Sequence, residues 1–214
     1  MLLTVDAAGV LPSAAAVLKL LDRRQAGGVA DEVLQAVEAA LHRAPEQMTP
    51  RVVWTTRPLA VQQGHLVVLG RSRGESPLRW SRDGVPSHLA AAGQVSLAVV
   101  TLGPELEDES TAAFRRGEYL LGLALDAVGT GAVHRLMAWT RARVRAEARA
   151  AGFDAGVPAG PGYDRWPLDD LPAVAAAAGG PLAGVTVTSG LMLDPGKSLC
   201  RVIPWLMEKR GGRP

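Results

Sequence analysis

PGYDRWPL (161–168) and GVTVTSGLMLDPGKSLCRVIPW (184–205), separated by a short helix-like stretch, carry the reading of this chain. LAGVTVTS and SLCRVIPW are short and rich in β-branched and aliphatic residues, which reads as two strands around a loop punctuated by Asp194, Pro195 and Gly196. Upstream, Pro161 and Gly162 mark a tight turn. Gly162 lets the backbone come close to a ligand, and Tyr163 offers a stacking face plus a hydroxyl. Alone, such a turn is as well served by a tyrosine packed into the core, so its meaning depends on what surrounds it.

Working outward, RVVWTTR (51–57), HLVVLG (65–70) and SLAVVTLG (96–103) read as further strands. Ser13 is an N-cap for AAAVLKLLDRR, and Asp31 opens DEVLQAVEAALHRA, in which Val33, Leu34, Val37 and Leu41 recur at helical spacing. These two helices form an N-terminal helical part, residues 1–48. A long helical region spans about Glu105 to Ala151, with Leu120, Leu121, Leu125, Val128, Leu136 and Met137 as its buried stripe. Arg135, Arg141, Arg145 and Arg149 face solvent, and Gly129 and Gly131 weaken the middle enough to kink it. Strands and helices come in blocks, which predicts an α+β fold. Its largely antiparallel sheet should hold segments 51–57, 96–103, 185–189 and 199–205, with the long helix packed against it.

At 214 residues and 48% hydrophobic the chain buries a substantial core as one domain, residues 1–214, ending in a flexible tail at 208–214. A charge of +2 is too slight a bias for a nucleic-acid surface. No run of about 18 apolar residues suggests a membrane span, no basic flank precedes the apolar N-terminus, and Cys200 is the single cysteine. The expectation is a reduced, cytoplasmic protein. His42, His65, His88 and His134 are scattered without metal-ligand spacing, and Cys200 reads as a small buried hydrophobe. DPGKS lacks the spacing of a phosphate loop, and the acidic run at Glu105, Glu107, Asp108 and Glu109 charges a helix N-terminus. The five tryptophans pack in the core or at an interface, Trp166 being the one expected to line a pocket.

The PGY turn followed in order by Thr188, Ser189, Met192, Pro195 and Ser198 resembles the reactivation domain of cobalamin-dependent methionine synthase, in its free-standing form. VLKLLDRR, PRVVWTTRPL and VVTLGPELE are similar to that family's upstream segments, so the likeness covers nearly the whole chain. It implies a module that binds S-adenosylmethionine and closes over a corrinoid. With one electron from a flavodoxin-type donor it restores methylcobalamin from cob(II)alamin, mainly by positioning. The implied partner is a corrinoid-binding methyltransferase or methionine synthase lacking its own activation domain, which contributes the cobalamin. The implied ligand residues are Pro161, Gly162, Tyr163, Trp166, Thr188, Ser189 and Ser198, with His134 and Arg165 beside them.

Two positions depart from the family. Its arginine five residues before the turn's tyrosine, which engages the ligand carboxylate, is Pro158 here, and its glutamate on the long helix matches His134. Losing two contacts of about 1.5 to 3 kcal/mol each weakens binding about a hundredfold or more. Either Arg165 or Arg201 substitutes, or tight binding of S-adenosylmethionine has been given up. In the second case the chain would be a noncatalytic cap for a corrinoid protein; a third reading is a small-molecule module unrelated to cobalamin.

Overall fold

Along RVVWTTRPLAVQ the strand pleat sends successive side chains to opposite sides, and over its first seven residues both sides are covered. This strand, β2 (Arg51–Gln62), is the spine of the computed structural model, which describes residues 2–21, 31–70 and 75–207. A seven-stranded sheet runs β4 (Leu78–Ser81), β3 (His65–Val68), β2, β5 (Gln94–Thr101), β9 (Ser198–Met207), β6 (Phe153–Ala155), with β1 (Leu2–Thr4) also paired to β2. Each pairing is antiparallel. The central register runs from Arg51↔Thr101 to Pro58↔Gln94 on one side of β5 and from Gln94↔Trp205 to Thr101↔Ser198 on the other.

The pleat divides the core in two. Val52, Trp54, Ala98, Val100, Ile203 and Trp205 join one cluster with the helices α2 (Ala14–Leu21), α3 (Asp31–Arg43) and α5 (Tyr119–Ala150). Val53, Leu97, Val99, Cys200 and Val202 join the other, under α6 (Leu171–Ala178). Inside the sheet Trp205 Nε1 donates to Ser96 Oγ at 2.9 Å, and Ser96 shares a 2.7 Å hydrogen bond with Thr56. The remaining helices are α1 (Ala7–Val10) and α4 (Glu105–Arg115).

The α+β class and antiparallel sheet agree with the sequence, as do strands 51–57 and 96–103 and the Ser13 cap, whose Oγ accepts from the Ala16 N–H at 3.3 Å. Four details differ. Residues 105–151 form two helices, because Gly117 (φ 80°) turns the chain between α4 and α5. Leu120 is exposed rather than part of the buried stripe. Gly129 and Gly131 are sites of close approach inside one unbroken helix: a Cβ at Gly129 would meet the Lys197 stem at 3.1 Å, and one at Gly131 would meet Pro12 at 2.9 Å. Segment 185–189 leaves the main sheet, since β7 (Thr186–Val187) pairs only with β8 (Leu193–Asp194) in a separate ribbon.

The N-terminal helices share the core with α5, and β1 precedes them in the sheet. The tail at 208–214 lies outside the described residues. By length and composition α5 could cross a membrane, but its apolar side is packed into the core and Arg135, Arg141, Arg143, Arg145 and Arg149 line its C-terminal half. It is a buried core helix.

Candidate ligand-binding site

Half of β9 is an open sheet edge. β6 covers only Trp205–Met207; beyond it the Gly156 N–H donates to the Pro204 carbonyl at 2.8 Å, and Ala159 and Val202 exchange N–H···O bonds of 2.7 and 2.8 Å. Alternation then puts the Cys200 N–H and C=O on that same outward side. Arg201 Nη1 donates to the Cys200 carbonyl at 2.9 Å, bending the guanidinium back along the edge.

The segment after Ala159 folds into a tight knot over this edge. The Tyr163 N–H donates to the Gly160 carbonyl at 3.2 Å, the Trp166 N–H to the Tyr163 carbonyl at 2.8 Å, and the Gly162 N–H to the Trp166 carbonyl at 2.9 Å. Three residues in it have positive φ: Gly162 at 85°, Asp164 at 48° and Arg165 at 69°. Two successive non-glycine residues in that region are uncommon and store strain of order 1–3 kcal/mol each. The knot holds Tyr163 out into solvent, 53% exposed, with the Arg201 guanidinium carbon 4.1 Å from its ring centre.

Facing the knot is the loop between β8 and β9, which contains a cis Asp194–Pro195 peptide. Helices hold it at two points. Glu107 Oε2 accepts from the Gly196 N–H at 2.9 Å, while Lys197 Nζ donates to Asp126 Oδ1 at 2.7 Å and to Thr130 Oγ1 at 3.0 Å. Ser198 Oγ donates to Thr101 Oγ1 at 2.9 Å, fixing the start of β9.

Between knot and loop lies a cleft of about 240 Å³. Pro161, Tyr163, Leu168 and Leu171 form one wall; Met192, Leu193, Gly196 and residues 198–201 form the other. Among the described residues lining it, Arg201 alone is charged. Cys200 reaches the lining but is buried, and desolvation pushes its thiol up to about 12 against the opposing pull of Arg201. The cleft is thus an apolar trough with one planar cation in its wall.

The expected residues divide sharply. Pro161, Tyr163 and Ser198 line the cleft, and Gly162 shapes the turn behind them. Trp166 does not line it: the indole is buried edge-on against Trp80 at 4.8 Å, and its Nε1 donates to Asp170 at 2.8 Å. Thr188 and Ser189 sit at the exposed tip of the ribbon, where Thr188 Oγ1 accepts from the Met192 N–H at 3.2 Å and closes the turn. Arg165 is exposed at the knot's outer side, and His134 is exposed on α5; neither lines the cleft. Pro158 is half-buried beside the Ala159 bridge and also lies outside it. The cation at the turn is Arg201. Leu168, Leu171 and Leu193 carried no signal in the sequence, nor did the Lys197–Asp126 tie between residues 71 positions apart.

The fold is shared with a crystal structure of the MetH reactivation domain bound to AdoHcy, with a TM-score of 0.73 over 98% of this chain and 79% of that one, at 12% sequence identity. No protein-family model and no curated protein matches the chain. At that identity the likeness is one of fold, and the ligand belongs to the other protein.

Proposed function

We propose that the chain is a free-standing reactivation-type module that binds S-adenosylmethionine, or the thioether left by its demethylation, and docks on a corrinoid-carrying methyltransferase. The observation that carries this is the convergence of the 161–166 knot and the 195–201 segment on one cleft, within the fold of a domain known bound to AdoHcy. The residues suit an adenosyl amino acid. Tyr163 offers an exposed ring, Leu168, Leu171 and Leu193 an apolar bed, and Arg201 a cation for a carboxylate. At about 240 Å³ the cleft is smaller than the ~300–1,000 Å³ of enclosing pockets, so the ligand would rest partly above its rim. That rim is apolar: Tyr163, Leu168 and Met192 are 53%, 41% and 67% exposed, a surface suited to a partner closing over the ligand.

Bound S-adenosylmethionine would supply a methyl group on a sulfonium, for transfer to the cobalt of the partner's cobalamin once one electron from a flavodoxin-type donor has reduced cob(II)alamin, with S-adenosylhomocysteine as the leaving thioether. The chain's own part is to bind and orient. A second function, capping a corrinoid protein without tight S-adenosylmethionine binding, is favoured by the absence of any carboxylate among the described cleft-lining residues, which leaves a sulfonium without a counter-charge. Titration calorimetry with S-adenosylmethionine and S-adenosylhomocysteine, and gel filtration with a corrinoid-binding methyltransferase lacking such a domain, separate the two. Binding of both ligand and protein supports the reactivation module. Protein binding alone supports the cap, and binding of neither overturns both.

A further inference from the structure

Arg201 is half-buried in the cleft wall, and among the described residues no carboxylate pairs with it. Its orientation is already fixed. The Cys200 carbonyl takes one N–H at 2.9 Å, the Tyr163 ring lies 4.1 Å beneath the guanidinium carbon, and the Gly160 backbone packs beside it, where a Cβ would stand 3.3 Å from Nη1. A guanidinium carries five N–H donors, so its other edge remains for a ligand. A partly desolvated cation held rigid, with no counter-ion and apolar surroundings, is a standing site for a planar anion. Lys197, the neighbouring cation on the same strand approach, is already engaged by Asp126 and Thr130.

We infer that Arg201 is the specificity-determining residue of the cleft, selecting ligands that carry a carboxylate next to an apolar or aromatic body. Under the function proposed above, on which this rests, the group selected is the α-carboxylate of the adenosyl amino acid. Binding depends on that carboxylate and not on the sulfonium charge, because the described lining holds a cation and no acid.

The test is calorimetric titration of the natural protein, Arg201→Gln and Arg201→Lys with S-adenosylmethionine, its decarboxylated form and S-adenosylhomocysteine. The first two differ only in the carboxylate, the first and third chiefly in the sulfonium methyl and its charge. The natural protein should bind S-adenosylmethionine about tenfold or more tighter than the decarboxylated ligand, the size of one charged hydrogen bond. S-Adenosylhomocysteine should bind at least as tightly as S-adenosylmethionine. Arg201→Gln should bring the carboxylate ratio close to one, and Arg201→Lys should restore part of it through a single donor group. Equal binding of both carboxylate states by the natural protein overturns the inference and leaves the proposed function standing; this measurement needs no variant to fold. A ratio that survives in Arg201→Gln also overturns it. If no adenosyl compound binds, the ligand reading and the inference fall together.

Discussion

The α5 side of the sheet and the cleft end of β9 are built on opposite plans. On the α5 side, side chains from helix and sheet interlock: Leu125, Val128, Leu136 and Val144 have no exposed surface and meet Ala98, Val100 and Ile203. At the cleft end, shape comes from backbone. Three positive φ angles and a handful of hydrogen bonds hold Tyr163 and Arg201 where they are. Burial of apolar area supplies stability without specifying any surface, whereas a turn fixes a surface with little buried area to hold it. The two regions should therefore respond differently to substitution.

The largest expected effect lies on the α5 side. Leu136→Ala should destabilise by about 2–5 kcal/mol in urea or guanidinium melts, as expected for truncating a buried leucine. Affinity for a cleft ligand should be unchanged in the protein that remains folded. A loss below about 1 kcal/mol would mean that α5 is held otherwise than by close packing.

Next comes the knot. Gly162→Ala places a Cβ at φ 85° and 3.0 Å from Leu168 Cδ1, so a cost of about 1–2 kcal/mol is expected. Unlike Leu136→Ala, it should also weaken whatever ligand the cleft takes, because Leu168 lines it. Circular-dichroism melts and calorimetry on the same sample separate the two readouts. A stability loss with untouched affinity would erase the proposed contrast between the regions.

A smaller effect concerns the join between them. Asp126→Ala frees Lys197 from its ion pair, with the aspartate 56% exposed, so global stability should fall by less than about 1 kcal/mol. Amide exchange at Gly196 and Lys197 should nevertheless speed up, since only Glu107 and Thr130 would then remain as side-chain anchors of the loop. Unchanged exchange would show that the loop is held by its own backbone.

How much of this was legible in the sequence follows the same division. Runs such as RVVWTTR and SLAVVTLG announce strands because both faces of the sheet are buried there and β-branched and aliphatic residues dominate. Pro161, Tyr163 and Ser198 could be brought to one cleft from motif order. Trp166 could not be placed, because its burial depends on Trp80, far away in sequence. Segment 185–189 misled for a local reason: it is β-branched enough for a strand, but the Thr188–Met192 turn folds it back on Leu193 before it can reach the sheet. β4 and β6 are too short to show a period.

The smallest effect tests where the cleft stops and the core begins, at Cys200. The residue counts among the lining, yet it is 2% exposed and belongs to the cluster under α6. Burial raises its pKa from 9.0 to about 12, so the folded state keeps the proton over a range where the unfolded chain has lost it. Below pH 9 the two states bind that proton equally and the group adds no pH dependence. As pH rises from 9 towards 12 the unfolded state alone ionises, and stability should fall progressively. Other groups also titrate there, so the measurement is a difference: denaturant midpoints of the natural protein and of Cys200→Ala from pH 7 to pH 10.5, with the variant showing the shallower decline. A thiol reagent at pH 8 should correspondingly label the native protein far more slowly than the unfolded chain. Rapid native labelling would put the thiol inside an accessible cleft, and the boundary drawn between the packed region and the binding region would have to move one strand inward.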